Sequence, residues 1–174
     1  WMTKEVRETP PLRVVSVGAL KRRKGYHVAL EAFARAREQI PGLIYTIIGS
    51  QRDTIYVEEL KTIMAQRGIE EAVILKEGLT DEEILQEYKN AGIFLLHSVK
   101  IANHFEGFGL VFLEAAAAGL PAIGTNGNGI SDAVSPENGV LVPQNDIHAT
   151  ADAIVRVLSD VAYWKSLSRG SSLW

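Results

Sequence analysis

Short, uniformly apolar runs alternate with amphipathic helical segments along almost the whole chain, and this alternation is the strongest constraint on its fold. One helical stripe runs from Val28 to Ala36 and another from Ile147 to Leu158, while Thr80 and Glu83 form a capping box that opens a third helix. Strands that are apolar on both faces and are separated by helices are typical of a parallel sheet with right-handed crossovers. The pattern therefore predicts a doubly wound α/β domain with about six parallel strands. The predicted strands are Arg13 to Val17, Leu43 to Ile48, Val73 to Leu75, Ile93 to Leu96, Pro121 to Ile123 and Gly139 to Val142.

The length and composition are those of one globular domain. The chain has 174 residues, of which 47% are hydrophobic and 22% are charged, and domains of about 150 residues usually enclose one core. We expect an N-terminal tail over residues 1–12, the domain over residues 13–160, and a C-terminal helix or tail over residues 161–174. The chain begins with Trp1 and Met2 and carries no targeting signal, so we also expect it to be a piece of a longer protein.

Charge and cysteine content exclude several classes of function. Eighteen basic and 21 acidic side chains give a net charge of -3, which provides no broad basic field for nucleic acid or an anionic membrane. The longest uncharged stretch, Ala115 to Ser131, contains glycine, proline and asparagine and is therefore not a membrane helix. The chain has no cysteine, which excludes disulfides, thiolate catalysis and cysteine-ligated metals. A reducing compartment fits this composition, and we expect a cytoplasmic protein without nucleic-acid partners.

Two glycines precede a strong helical segment after the fourth predicted strand. Gly107 and Gly109 stand just before the segment that begins at Leu110. Glycines allow backbone N–H groups to approach a ligand closely, and a helix N-terminus adds roughly half a positive charge, so the arrangement predicts an anion site, with phosphate as the natural occupant. Taken alone, the same glycines fit a tight turn equally well, with the alanines that follow, Ala115 to Ala118, allowing the helix to pack closely on the sheet.

Two glutamates flank this glycine segment. Glu106 and Glu114 are eight positions apart, which corresponds to on the order of 12 Å along a helix. The paired carboxylates of glycosidases are about 5 to 9.5 Å apart, so a hydrolytic pair is disfavoured. The spacing suits a nucleotide sugar, because sugar and ribose hydroxyls lie at its two ends and a diphosphate lies between them. Either glutamate alone would also fit a solvated charge at a helix start.

The stretch from Glu106 to Glu114, followed by four alanines and Gly-Leu-Pro-Ala-Ile, closely resembles the nucleotide-sugar-binding half of retaining GT-B glycosyltransferases of family 4. The resemblance covers about Val14 to Asp160. It implies that the domain is Rossmann-like and forms one half of a GT-B fold. The other matching features are Val17-Gly18, Lys24-Gly25, the strand that ends Ile47-Ile48-Gly49, Asn128-Gly129-Ile130, and Gly139 to Pro143.

The resemblance implies a role for each matching residue. Glu106 would contact the donor sugar near the reacting carbon, Glu114 would hold the ribose, and Lys24 would neutralise the diphosphate. The loop from Lys76 to Gly78 would meet the base through main-chain groups. We therefore predict Lys24 and Glu106 as catalytic residues. The predicted substrate-binding residues are Gly18, Gly107, Phe108, Gly109, Leu110, Val111 and Glu114.

One residue departs from the family pattern. The family commonly has an arginine directly after the glycine of the first strand, and this chain has Ala19 there. A diphosphate carries about two negative charges, against which Lys24 and a helix end supply roughly +1.5, so a further cation would help. Arg22 and Arg23 are the candidates, although a solvated loop is the favoured interpretation of Lys21 to Arg23.

The resemblance implies glycosyl transfer from a nucleotide-diphosphate sugar to an acceptor hydroxyl, with retention and without a metal ion or other cofactor. The acceptor site would belong to a missing N-terminal domain, so we expect the isolated chain to bind the donor but to transfer little or no sugar. Any membrane association would also belong to that missing domain. The alternative is a non-catalytic domain that binds a nucleotide sugar or a partner.

Other classes of enzyme and site fit the sequence less well. The first predicted strand is followed by Gly18-Ala19-Leu20, not by the Gly-x-Gly-x-x-Gly of a dinucleotide oxidoreductase. The chain has neither a Walker lysine pattern nor a Gly-x-Ser-x-Gly nucleophile elbow. The four histidines, His27, His97, His104 and His148, are expected to be surface or packed residues.

Overall fold

The computed structural model describes residues 7–100, 109–127 and 129–173. Within these residues, helices and strands alternate almost without interruption, as the apolar pattern predicts. The strands are β1 (Arg13–Val17), β2 (Ile44–Ile48), β3 (Val73–Lys76), β4 (Ile93–Leu96), β5 (Ala122–Thr125) and β6 (Gly139–Val142). The helices are α1 (Tyr26–Gln39), α2 (Thr54–Arg67), α3 (Asp81–Asn90), α4 (Leu110–Ala117), α5 (Ile130–Ala133), α6 (Ile147–Ser159) and α7 (Val161–Ser171), with 3-10 turns at Arg22–Lys24 and Glu70–Ala72.

The six strands form one parallel sheet in the order β3-β2-β1-β4-β5-β6. At its centre, Val14 of β1 is paired with Tyr45 of β2 on one side and with Ile93 of β4 on the other. The predicted Rossmann-like, doubly wound α/β fold is therefore confirmed. The fifth strand begins at Ala122, one residue later than predicted. Pro121 has no N–H to donate, although its carbonyl still accepts from the N–H of Phe94 at 2.9 Å.

Helices cover both faces of the sheet. On one face, α1 packs between α2 and α6, and the predicted stripe from Val28 to Ala36 is buried. On the other face, Phe94 of β4 lies between Tyr88 of α3 and Phe112 of α4. The predicted capping box at Thr80 and Glu83 opens α3, with both of its hydrogen bonds present.

The C-terminal segment packs on the domain as a helix. Asp160 caps α7 by accepting from the N–H of Tyr163 at 2.9 Å. The indole N–H of Trp164 donates to the carbonyl of Gly92 at 2.7 Å, and the buried hydroxyl of Ser171 donates to the carbonyl of Leu120 at 3.1 Å. Helix α7 is thus part of the same packed unit as the sheet.

A close backbone contact joins the start of α1 to the end of β4. Gly25 has a φ of +67°, and a Cβ built on it would lie 1.7 Å from the carbonyl oxygen of His97. In the same part of the chain, the N–H of Val99 donates to the carbonyl of Arg23 at 2.9 Å. No side chain fits between these two segments, so a glycine is required at position 25.

We expect Gly25→Ala to be much more destabilising than Gly68→Ala. Gly68 has a similar φ of +62°, but within the described part of the chain nothing beyond its neighbours lies within 4 Å of its Cβ position. The left-handed conformation alone costs an alanine about 1 kcal/mol, whereas Gly25→Ala adds a clash with a buried carbonyl. Urea unfolding of both variants measures the difference, and equal losses in the free energy of unfolding would contradict this account.

Candidate functional site

A cleft of about 700 Å³ opens at the carboxyl ends of β1, β2 and β3. In sheets of this kind, ligands bind beyond the carboxyl ends of the strands, at the point where the strand order reverses. Here that point lies between β1 and β4, at one border of the cleft. The cleft is lined by residues 17–21 at and after the end of β1, by Ile48, Gly49, Ser50, Arg52 and Asp53 at and after the end of β2, by Glu77, Gly78 and Leu79 after β3, and by Ile84 of α3.

Lys24 is buried directly over the backbone of Gly18. Only 7% of Lys24 is exposed, and a Cβ built on Gly18 would lie 3.3 Å from the lysine Cε and 3.4 Å from its Nζ. The hydroxyl of Tyr26 donates to the Gly18 carbonyl at 2.8 Å and supports the same turn. The structure therefore brings together two of the predicted site residues, a cation and a glycine, where β1 ends beside β4.

The predicted helix after the glycine segment begins where expected. Gly109, in the left-handed conformation with a φ of +67°, precedes α4, whose first residue, Leu110, is 67% exposed. Val111 is half-buried against the core. The predicted site residues Glu106, Gly107 and Phe108 lie outside the described residues, as does the predicted distance from Glu106 to Glu114.

Glu114 is exposed on α4 and is hydrogen-bonded to α3. Its Oε2 accepts from the hydroxyl of Tyr88 at 3.1 Å. Tyr88 itself is only 3% exposed. Burial and the adjacent Glu114 carboxylate raise the pKa of the Tyr88 phenol above its usual range, so the phenol remains a hydrogen-bond donor.

Arg22 is directed to α2. Its guanidinium forms an ion pair with Glu59 and lies 5.3 Å from the ring centroid of Tyr56. This arrangement disfavours Arg22 as the cation that replaces the arginine missing at Ala19.

His97 belongs to a buried hydrogen-bond network at the end of β4. Its Nε2 accepts from the N–H of Asn145 at 2.9 Å, so the proton of the neutral ring is on Nδ1, which donates to Thr150 Oγ1 at 3.0 Å. Burial, with a smaller contribution from His27, lowers the pKa of His97 to about 4. His97 is therefore a packed, neutral histidine, as expected, and it ties the loop after β4 to the loop before α6.

Gln144 makes a second link between these loops. Its side-chain oxygen accepts from the N–H of Lys100 at 2.9 Å, and its amide nitrogen donates to the carbonyl of Asn126 at 3.1 Å. The sequence analysis did not single out Gln144 or Tyr88, because neither residue belongs to a recognisable motif and both act through contacts distant in sequence.

Side chains at the outer edge of the cleft connect its loops. The carboxylate of Glu77 accepts from the N–H of Gln51 at 3.0 Å and thereby joins the loops after β2 and β3. Lys76 forms an ion pair with Glu87 at 2.7 Å.

Among the residues that the structure describes, no three His, Asp or Glu side chains cluster closely enough to hold a metal ion. In the same residues, no helix is long and apolar enough to span a membrane.

The fold is a doubly wound α/β domain with a cleft at the carboxyl ends of its strands, and comparison with known proteins identifies the family. Residues 1–170 match the family described as glycosyl transferases group 1, so the chain belongs to that family. It is 35% identical over 149 residues to the amylovoran biosynthesis glycosyltransferase AmsK of Erwinia amylovora, covering 84% of this chain and 36% of that protein. The chain thus spans about a third of the length of the curated relatives it matches.

Solved structures show the same fold. The C-terminal domain of a glycosyl transferase group 1 family protein (LpcC) from Francisella tularensis superposes with a TM-score of 0.81 at 24% identity, over 97% of this chain and 90% of that domain. Anabaena Alr3699/HepE in complex with UDP-glucose superposes with a TM-score of 0.82 at 21% identity, over 93% of this chain and 43% of that protein. The predicted relationship to the C-terminal half of a GT-B glycosyltransferase is confirmed at the level of fold.

We expect His97 to make the domain less stable as the pH falls. Below pH 6.5 the unfolded chain binds a proton at His97, whereas the folded chain, with a pKa of about 4 at this residue, does not. Since one pKa unit corresponds to about 1.4 kcal/mol, the free energy of unfolding should fall by about 3 kcal/mol between pH 6.5 and pH 4 from this residue.

Urea unfolding at several pH values tests this expectation. His97→Gln should flatten the pH dependence over that range relative to the wild type. Equal slopes in the wild type and His97→Gln would show that His97 does not titrate in this way.

Proposed function

We propose that this chain is the donor-binding half of a retaining glycosyltransferase that transfers a sugar from a nucleotide-diphosphate sugar to an acceptor hydroxyl. The observation that carries the proposal is the burial of Lys24 over Gly18, where β1 ends beside β4 and the cleft opens. A buried cation at the ligand-binding edge of an α/β sheet is well suited to an anionic ligand. Membership of the group 1 family and the UDP-glucose complex of the structurally similar HepE support a nucleotide sugar as that ligand.

In this proposal the nucleoside occupies the cleft and the diphosphate lies between Lys24 and the N-terminus of α4. The base meets the loop from Lys76 to Gly78, and the ribose hydroxyls donate to Glu114. Lys24 and the helix end together supply roughly +1.5 charges against about two negative charges on the diphosphate. This electrostatic stabilisation favours departure of the nucleoside diphosphate and takes the place of a metal ion.

The transfer itself requires the acceptor. The acceptor oxygen attacks the anomeric carbon on the face from which the diphosphate leaves, the bond from that carbon to the phosphate oxygen breaks, and a donor phosphate oxygen takes the hydroxyl proton. Glu106 orients the donor sugar. An N-terminal domain supplies the acceptor site, and we place this chain in the cytoplasm because its lack of cysteine suits a reducing compartment.

Calorimetric titration of the chain with UDP, GDP, ADP and the corresponding nucleosides tests donor binding. We expect one diphosphate to bind, and Lys24→Met to weaken its binding about 10- to 100-fold because a charge-assisted contact is lost. Nucleoside binding should be unchanged, because only the charge near the diphosphate is removed. Lys61→Met removes a charge from the exposed surface of α2 and should have no effect.

Two outcomes would contradict donor binding. Either no diphosphate binds to the wild type, or Lys24→Met weakens the binding of diphosphate and nucleoside equally.

A chelator tests whether the site needs a metal ion. Addition of EDTA should leave the affinity for the diphosphate unchanged, and a loss of binding on chelation would refute the proposed metal-free site.

Turnover separates an enzyme from a non-catalytic binder. The intact protein that contains this chain should release nucleoside diphosphate from the donor in the presence of acceptor, with the anomeric configuration of the product retained by NMR. Lys24→Met in the intact protein should be slower, and equal rates in the two proteins would favour the non-catalytic alternative.

A further inference from the structure

The hydroxyl of Tyr88 joins α3, whose Ile84 lines the cleft, to α4, which carries the predicted ribose-binding Glu114. Tyr88 lies near the end of α3, and its hydroxyl donates to Oε2 of Glu114 in α4 at 3.1 Å. The donor is 3% exposed, whereas the accepting glutamate is exposed. A buried group that is fixed by packing therefore holds the carboxylate of a side chain that would otherwise sample several rotamers in solvent.

Aromatic packing fixes the position of this phenol. The Tyr88 ring lies edge-on to Phe94 of β4, with centroids 5.9 Å apart, and Phe94 in turn lies edge-on to Phe112 of α4 at 5.1 Å. Phe112 precedes Glu114 by two residues on the same helix. The same three rings thus set both the direction of the hydroxyl and the position of the helix that carries its acceptor.

We propose that Tyr88 is a positioning residue that orients the Glu114 carboxylate toward the ribose of the donor, so that the site distinguishes ribose from its deoxy forms. This inference rests on the proposed function. An ionised carboxylate offers about four acceptor positions, of which Tyr88 uses one. The remaining positions accept hydrogen bonds from the two ribose hydroxyls, and they are correctly directed before the ligand arrives.

The raised pKa of the phenol agrees with this role. Burial and the Glu114 carboxylate both disfavour ionisation of Tyr88, so the contact remains a neutral donor on a carboxylate acceptor at neutral pH. No proton needs to move for the ligand to bind.

The test compares ribonucleotides with nucleotides that lack the relevant hydroxyls. UDP, GDP and ADP and their 2′,3′-dideoxy analogues are titrated into the wild type and into Tyr88→Phe, which retains the ring and deletes only the hydroxyl. We expect Tyr88→Phe to weaken binding of the ribonucleotide about 3- to 10-fold, because it removes a contact that orients the carboxylate and no contact to the ligand itself, and to leave binding of the dideoxy analogue unchanged. Tyr163→Phe, on α7, is the matched control and should bind both ligands as the wild type does.

A double-mutant cycle separates positioning from general packing. If Tyr88 acts through Glu114, Tyr88→Phe should have no further effect in the Glu114→Ala background. Should Tyr88→Phe fail to fold, Glu114→Gln in the intact aromatic core tests the ribose role on which the inference depends, and a ribose preference equal to that of the wild type would overturn the inference.

The possible results separate this inference from the proposed function. Equal effects of Tyr88→Phe on ribo and dideoxy ligands, or no effect on either, overturn the positioning role while donor binding stands. A wild type with no preference for ribose overturns both the ribose role of Glu114 and the inference. A wild type that binds none of the diphosphates overturns the proposed function itself.

Discussion

The ligand-binding edge of the sheet depends on backbone segments that approach too closely to admit a side chain. A Cβ on Gly25 would lie 1.7 Å from the carbonyl oxygen of His97, and a Cβ on Gly49 would lie 2.0 Å from that of Gly18. These contacts fix the ends of β1, β2 and β4 relative to one another, and they place Lys24 over Gly18. Because the scaffold is rigid at this point, the buried cation is held in position by the fold and needs no ligand to order it.

The opposite side of the site is organised by side chains. The rings of Tyr88, Phe94 and Phe112, which meet edge-on, hold α3, β4 and α4 together, and Glu114 is carried on the last of these elements. The buried neutral His97 anchors the loop that leaves β4. The two regions therefore differ: close backbone contacts position Lys24, whereas aromatic packing and the hydrogen bond from Tyr88 position the Glu114 carboxylate.

The cations near the candidate site differ in their surroundings, and this difference matters for the proposed function. The family's usual arginine is replaced by Ala19, and the neighbouring Arg22 pairs with Glu59 and lies against Tyr56 of α2. In the proposed function, Lys24 and the N-terminus of α4 contribute to neutralising the diphosphate, and Lys21 and Arg52 are further cations in the lining of the cleft. A buried lysine suits this task, because its interaction with an anion is screened less by solvent than that of an exposed arginine.

Local signals in the amino-acid sequence predict most of the regular elements. The apolar runs located all six strands to within a few residues, the stripes located α1 and α6, and the pair Thr80 and Glu83 located the start of α3. Helix α2 was not predicted, because its apolar residues include the 84% exposed Ile55 and do not form a clean stripe.

Contacts between residues distant in sequence were not predicted. The contact of Tyr88 with Glu114 spans 26 residues, and that of His97 with Asn145 spans 48. Such contacts become visible only in the folded structure, because they depend on which strands are neighbours in the sheet. Periodicity along the chain carries no information about that strand order.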